Sequence, residues 1–410
     1  MTKFHFSSIG LLSIIASLAL TIAPAHAQIS DDVVRIGIIN DTSGPYADLS
    51  GKGSVVAAQM AIEDFGGRVR AKPVELVSAG HQLKPDVGLS TIRRWFDVEK
   101  VDMVADIVHS SIALAAQTVA KERNRIIIAT AVGANDFTGK ACTSTSASWI
   151  YDTDALTNAL VRSVVATKKD TWFLIVVDYA FGHSMEADAR KAIDAAGGKV
   201  LGSVRHPLGT ADLSSYLLQA QASGAKAVLL ANGGADLINS IKQATEFGLV
   251  SKGHQTLVAP LVFLTDVHSL GLQAAQGLSF TIPFYWDLDD KTRAWSKRFF
   301  DRHGAMPTEV HAAVYSAVQH YLKSVDAAGT DEAQAVMAKM RELPVNDFYV
   351  TNGILRIDGR LLHPMYLVQV KSPAESKGPW DFYNIIRTIP ADVVFRPLAE
   401  SACPLVQRDK

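Results

Sequence analysis

Short runs of β-branched residues alternate with Gly- and Ser-rich turns and then with helix-length apolar stripes, and this alternation passes along the chain twice. Residues 33–39 read V-V-R-I-G-I-I, a strand, and N-D-T-S-G-P-Y behind them is turn chemistry. From about Ser54, the residues Val55, Ala58, Ile62 and Phe65 fall at helical spacing and stop at Gly66-Gly67. Strands at 73–78, 101–108 and 126–131 follow, separated by helices at 91–98 and 112–123. The grammar restarts with strands at 171–177, 199–205, 227–231 and 257–263 and helices at 184–196, 214–223 and 237–247. Strand–helix alternation of this kind predicts an α/β chain with two parallel, doubly wound sheets. Between the halves, the Ser/Thr-rich stretch 143–153 reads as a connection. Helices at 292–303, 309–327 and 331–341 and candidate strands at 353–357, 365–370 and 383–387 complete the pattern.

The first 27 residues read as an export signal: Lys3, an apolar stretch at 9–22, and Ala25-His26-Ala27 as an A-x-A-like cleavage site. Cleavage near Ala27 would release the chain into the periplasm, and Gln28 offers no cysteine for a lipid anchor. A formal net charge of −1 with no Lys/Arg block leaves no electrostatic footprint for nucleic acid or anionic lipid. Cys142 and Cys403 are the two cysteines. In an exported protein such a pair most simply forms one disulfide, with two free thiols as the alternative.

Open sheets bind ligands at the carboxyl ends of their strands. The loops that matter are therefore 40–50, 107–112, 131–136, 178–184, 232–236 and 264–269, three from each half. In one of them, Asp106, His109, Ser110 and Ser111 invite a hydrolase reading. Neighbours along a strand or helix point apart, however, and no G-x-S-x-G surrounds either serine. A nucleotide cofactor has no G-x-G-x-x-G or G-x-x-x-x-G-K-[ST] to hold it, and the 12 histidines show no H-E-x-x-H or H-x-H pair for a metal. No cofactor and no metal are expected. A serine that opens a helix can cap it, and free N–H groups there favour an anion. The bland alternative is that the serines only cap and His109 is a surface residue.

The segments V-R-I-G-I-I-N-D-T-S-G-P-Y-A (34–47), Asp106 to Ser111, D-Y-A-F-G (178–182), A-N-G-G-A-D-L-I-N-S-I-K-Q-A (231–244) and G-I-L-R-I-D-G-R-L-L-H-P, in this order, resemble the exported solute-binding proteins of ABC transporters, in the branched-chain amino acid-binding group. The resemblance implies the type I periplasmic binding protein fold, two Rossmann-like lobes joined by a three-segment hinge, acting as a monomer that delivers ligand to a permease. It implies lobe boundaries at 31–150 with 284–351, and at 151–283 with 352–410, with crossovers near 282–285 and 351–353. It also implies ligand contacts from Tyr46, His109, Ser110 and Ala131 in the first lobe, and from Tyr179, Phe181, Asn232 and Asp236 in the second.

This chain departs from the pattern where relatives grip an amino acid. His109 stands for a serine that holds the α-carboxylate, Gly133 for a threonine, and Pro260-Leu261 for the acid that pairs with the ammonium. Phe181 and Gly233 replace tyrosines of the pocket. An ammonium buried without an acceptor costs several kcal/mol. A benzoate- or hydroxycinnamate-like acid is therefore the expected ligand. The alternative is a branched-chain amino acid or short amide with Asp236 as acceptor, and a secreted hydrolase is the remote one.

Overall fold

The computed structural model describes residues 1–2, 28–249 and 255–406, so the expected export signal lies largely outside the described residues. The first sheet is built from β1 (Val34–Asn40), β2 (Arg68–Val69), β3 (Lys72–Gly80), β4 (Met103–Asp106), β5 (Ile126–Ala129) and β6 (Ser146–Ser148), in the order β2-β3-β1-β4-β5-β6. All its pairings are parallel except β2 with β3. β1 sits in the middle, buried on both faces: Ile36 and Ile38 enter one apolar cluster, Ile39 the cluster on the opposite face. That two-sided burial is why parallel strands read as continuous apolar runs. Each fully buried Ile contributes about 1.5–3 kcal/mol over leaving it exposed.

Helices α1 (Gly51–Phe65), α2 (Pro85–Asp97) and α3 (Ser110–Glu122) connect these strands. The stretch expected as a mere connection contributes β6, whose Ser146 pairs with Ile127. Its small polar residues carry a weak strand signal. The strand is held from outside, because the Ser148 amide donates to the Gly359 carbonyl at 2.7 Å.

After α4 (Thr153–Ala166), the second sheet comprises β7 (Thr171–Val177), β8 (Lys199–His206), β9 (Ala227–Ala231) and β10 (Thr256–Val258), in the order β10-β9-β7-β8 and all parallel. Its helices are α5 (Ala180–Ala195), α6 (Ser214–Ala222) and α7 (Ala235–Glu246). β10 ends well before residue 263, and Pro260, which cannot donate to a ladder, lies just beyond it. Residues 264–269, expected as a loop, belong to α8 (Leu264–Leu270), whose Asp266 carboxylate accepts from the Phe263 amide at 2.9 Å. The short α9 (Leu272–Ala275) follows.

The chain then forms β11 (Ser279–Ile282) and the helices α10 (Asp290–His303), α11 (Glu309–Ala328) and α12 (Ala333–Glu342). These helices pack back on the first sheet's α1: the Tyr315 hydroxyl donates to Asp64 at 2.7 Å, and the Gln319 amide to the Ala61 carbonyl at 2.6 Å. Two short strands, β12 (Ile354–Leu355) and β13 (Leu361–Leu362), form a hairpin beside β6. β14 (Met365–Val370) and β15 (Tyr383–Ile389) join β11 in an antiparallel sheet. Phe280, Ile282, Val368 and Val370 of that sheet share a core with Phe173, Ile175, Val228 and Leu230 of the second parallel sheet. The chain ends in α13 (Ala391–Val394) and a tail in which Cys403 is disulfide-bonded to Cys142. Among the described residues no helix is long and apolar enough to cross a membrane.

Candidate ligand-binding cleft

In both sheets the strand order reverses around a central strand, β1 in the first and β7 in the second. A crevice opens where consecutive connections leave a sheet in opposite directions, and ligands bind there. The loops after β1 and β4 and the loops after β7 and β9 therefore face one place, and their residues meet across it.

The first-sheet side is braced by Asp106, at the end of β4. Its carboxylate accepts from Asn40 Nδ2 at 3.0 Å, Ser50 Oγ at 2.8 Å and Thr130 Oγ1 at 3.4 Å, so one buried side chain ties three loops together. Asp106 and Ile107 both hold positive φ, 78° and 55°, a conformation that L residues adopt only under such constraint. Asp106 thus serves the scaffold. Asp41 shapes the loop after β1, accepting from the amides of Gly44 at 2.8 Å and Tyr46 at 2.9 Å and so presenting the Tyr46 ring.

His109 is the residue preceding α3, and Ser110 is its first. The His109 ring is buried and lies on Tyr179, with centroids 4.4 Å apart and planes 28° apart. Burial pushes the imidazole down to about 4, so it is neutral at physiological pH. No hydrogen bond joins this ring to Ser110 or Ser111 among the described residues. The arrangement therefore lacks the base–nucleophile contact that a serine hydrolase requires.

From the second sheet, Tyr179 precedes α5 and Phe181 lies in its first turn. The Tyr179 phenol meets that of Tyr46 at 2.9 Å. Phe181 covers Gly133 so closely that a Cβ there would come within 2.9 Å of the ring. The amide of Ala235 donates to the Pro45 carbonyl at 3.1 Å. Gly234, at φ 58° and ψ −136°, allows that approach, since a Cβ on it would lie 2.3 Å from the same oxygen.

The space enclosed between the two sides is about 20 Å³. Tyr46, Leu49, Val108, Ser110, Ala131, Tyr179 and Phe181, all from the expected loops, line it, as do three residues outside those loops: Tyr151, Leu261 and Phe263. A single apolar cluster runs through this place, from Ile36 and Ile38 past Tyr46, Tyr151 and Phe181 to Leu174 and Val176. Of the expected contacts, His109, Asn232 and Asp236 do not share this lining. Asn232 Nδ2 is engaged by His206 Nε2 at 3.2 Å and Ser240 Oγ at 3.0 Å, while its Oδ1 has no partner. Asp236 accepts from the Gly209 amide at 3.0 Å, and burial pushes its carboxyl up to about 6. Asp236 Oδ1 is likewise buried without a partner. Among the described residues, no group of three or more His, Cys, Asp or Glu side chains is placed to hold a metal ion.

The arrangement brings ring faces together beside the Ser110 hydroxyl and the first amides of α3, donors of the kind that favour an anion. Residues 33–379 match the family model described as periplasmic binding protein. A periplasmic binding protein from Burkholderia mallei is 44% identical, with a TM-score of 0.89 over 91% of this chain and 99% of its own. A branched chain amino acid ABC transporter periplasmic ligand-binding protein from Burkholderia xenovorans is 43% identical, with a TM-score of 0.80 over 91% of this chain and 100% of its own. A Leu/Ile/Val-binding protein homolog from Brucella melitensis is 27% identical over 64% of this chain, which spans 66% of that relative's length.

Proposed function

The chain belongs to the periplasmic binding protein family, and from that premise we propose that its cleft captures an aromatic carboxylate of benzoate or hydroxycinnamate type. The observation that carries this reading is the composition of the lining. Five aromatic side chains, Tyr46, Tyr151, Tyr179, Phe181 and Phe263, surround a space whose lining includes no carboxylate. Rings accept another ring by offset or edge-on stacking, worth about 0.5–1.5 kcal/mol per pair beyond the area buried. An α-ammonium would find only neutral hydroxyls and no carboxylate to pair with in that lining, which leaves its charge uncompensated. About 20 Å³ is room for roughly one water. Capture of a benzoate-sized ring therefore requires the two sides to part and reclose on it, with the ring entering where His109 and Tyr179 stack.

In this reading residues 31–150 with 284–351 move as one lobe and 151–283 with 352–410 as the other. Cleavage near Ala27 frees the protein in the periplasm, where the closed monomer hands its ligand to an ABC permease. A branched-chain amino acid is the second reading, favoured by the unpartnered Asp236 Oδ1. Thermal-shift screening separates the two, because a ligand at 100 times its Kd stabilises by about 2.7 kcal/mol. Benzoate, 4-hydroxybenzoate or a hydroxycinnamate is expected to raise Tm. A rise with leucine or valine and none with the aromatic acids overturns the assignment.

A further inference from the structure

The tail behind β15 starts in one half of the molecule and is bonded to the other. β15 belongs to the antiparallel sheet that shares a core with β7 and β9. After α13, Phe395 is buried against the β12–β13 hairpin, with the Arg360 guanidinium 5.1 Å above its ring. The Arg396 guanidinium lies 3.1 Å from Asp154 on α4 and 3.7 Å from Asp188 on α5, and its carbonyl accepts from Arg356 at 2.8 Å. Seven residues later Cys403 is bonded to Cys142, which lies between β5 and β6 of the first sheet. Asp188 is also where the first half reaches over: Asn135, in the loop after β5, donates its side-chain amide to that carboxylate. The Asn135 backbone amide donates to Ser184 Oγ at 3.1 Å.

We propose that residues 390–403 form a thiol-cleavable strap across the hinge, which restrains opening of the cleft as long as the Cys142–Cys403 bond is intact. The proposal rests on the reading of the cleft as one that opens and closes. With the bond in place, the seven Cα-to-Cα steps from Arg396 to Cys403 cannot span more than about 25 Å even fully extended, which bounds how far their anchors can separate. Without it, the tail is held, among the described residues, by the burial of Val394 and Phe395, the Arg356 hydrogen bond to the Arg396 carbonyl and the Arg396 ion pairs, and partly exposed ion pairs are individually worth little. Cys403 is fully buried and Cys142 nearly so, so attack by an external thiolate waits for the end of the strap to lift. A dithiol reductant then supplies two electrons and two protons. It becomes a cyclic disulfide as Cys142 and Cys403 become thiols.

Small-angle scattering without any ligand tests this, so failure of a ligand screen and failure of the strap are separate results. Three samples are compared, each checked by far-UV circular dichroism: the oxidised protein, the same protein held in dithiothreitol, and the Cys142→Ser/Cys403→Ser variant. The expected result is native dichroism throughout, with a larger radius of gyration and a longer maximum dimension in the forms without the bond. If the variant fails to fold, the reduced wild type decides. Superimposable scattering from folded oxidised and reduced protein overturns the proposal. So does loss of native dichroism on reduction, which would make the bond a requirement of folding.

Discussion

The phenol oxygens of Tyr46 and Tyr179 lie 2.9 Å apart, one carried by the loop after β1 and the other by the residue that opens α5. Each comes from the central strand's connection in its own sheet, so this hydrogen bond exists only when the two halves are together. Both hydroxyls are buried, and burial raises their pKa values, keeping them protonated at all physiological pH.

Removing one hydroxyl leaves the other buried without its partner, at a cost of about 1–3 kcal/mol in the closed form alone. Tyr46→Phe and Tyr179→Phe are each expected to weaken ligand binding roughly tenfold while leaving unliganded denaturation midpoints nearly unchanged. A double-mutant cycle by titration calorimetry checks it: additive losses would mean the two phenols do not act as a pair.

His109 predicts the pH behaviour of binding. Its burial holds the imidazole neutral above about pH 4. The ring is then a hydrogen-bonding partner and carries no charge. Affinity for an aromatic carboxylate is expected to be flat from pH 5.5 to 8. A decline setting in near pH 6.5 would show instead that a charged imidazolium holds the anion.

Gly234 is the position where the two loops touch most closely. A methyl group there opposes both the backbone conformation and the Pro45 carbonyl. Gly234→Ala is expected to weaken binding at least tenfold, with the backbone strain itself costing on the order of 1 kcal/mol. Calorimetry and a urea melt of the same preparation read the two effects separately.

Glu309 opens α11 and is almost wholly buried, which pushes its carboxyl up from 4.5 to about 8. The folded protein therefore holds this proton more tightly than the unfolded chain. The group carries no penalty below pH 4.5, and its cost accumulates as pH rises towards 8. Between pH 6 and 8.5 the wild type is expected to lose on the order of 2 kcal/mol more stability than Glu309→Gln. Parallel slopes in denaturant melts across that range would contradict this.

Much of the scaffold was readable because buried parallel strands announce themselves: 171–177 and 227–231 needed no adjustment. The cleft was readable in part for the same reason, since a strand that ends in a turn shows where its loop begins, and Tyr46, Ser110, Ala131, Tyr179 and Phe181 all follow strand ends. What escaped was set by contacts distant in sequence. Tyr151 lies behind β6, a strand of serines and alanine that exists because Gly359 binds its edge. Leu261 and Phe263 looked like strand residues, yet the ladder stops at Val258 and frees them to wall the cleft. Asn232 and Asp236 stood at a strand end as expected, but His206, Gly209 and Ser240 draw them inward.

The apolar cluster that passes without a break from Ile38 through Tyr46 and Phe181 to Leu174 makes ligand capture resemble the last step of folding. In the proposed reading, parting of the cleft exposes what is otherwise interior. A bound ring then acts as one more interior side chain, supplied from solution. Binding should accordingly carry a negative heat-capacity change, with an enthalpy that grows more favourable on warming.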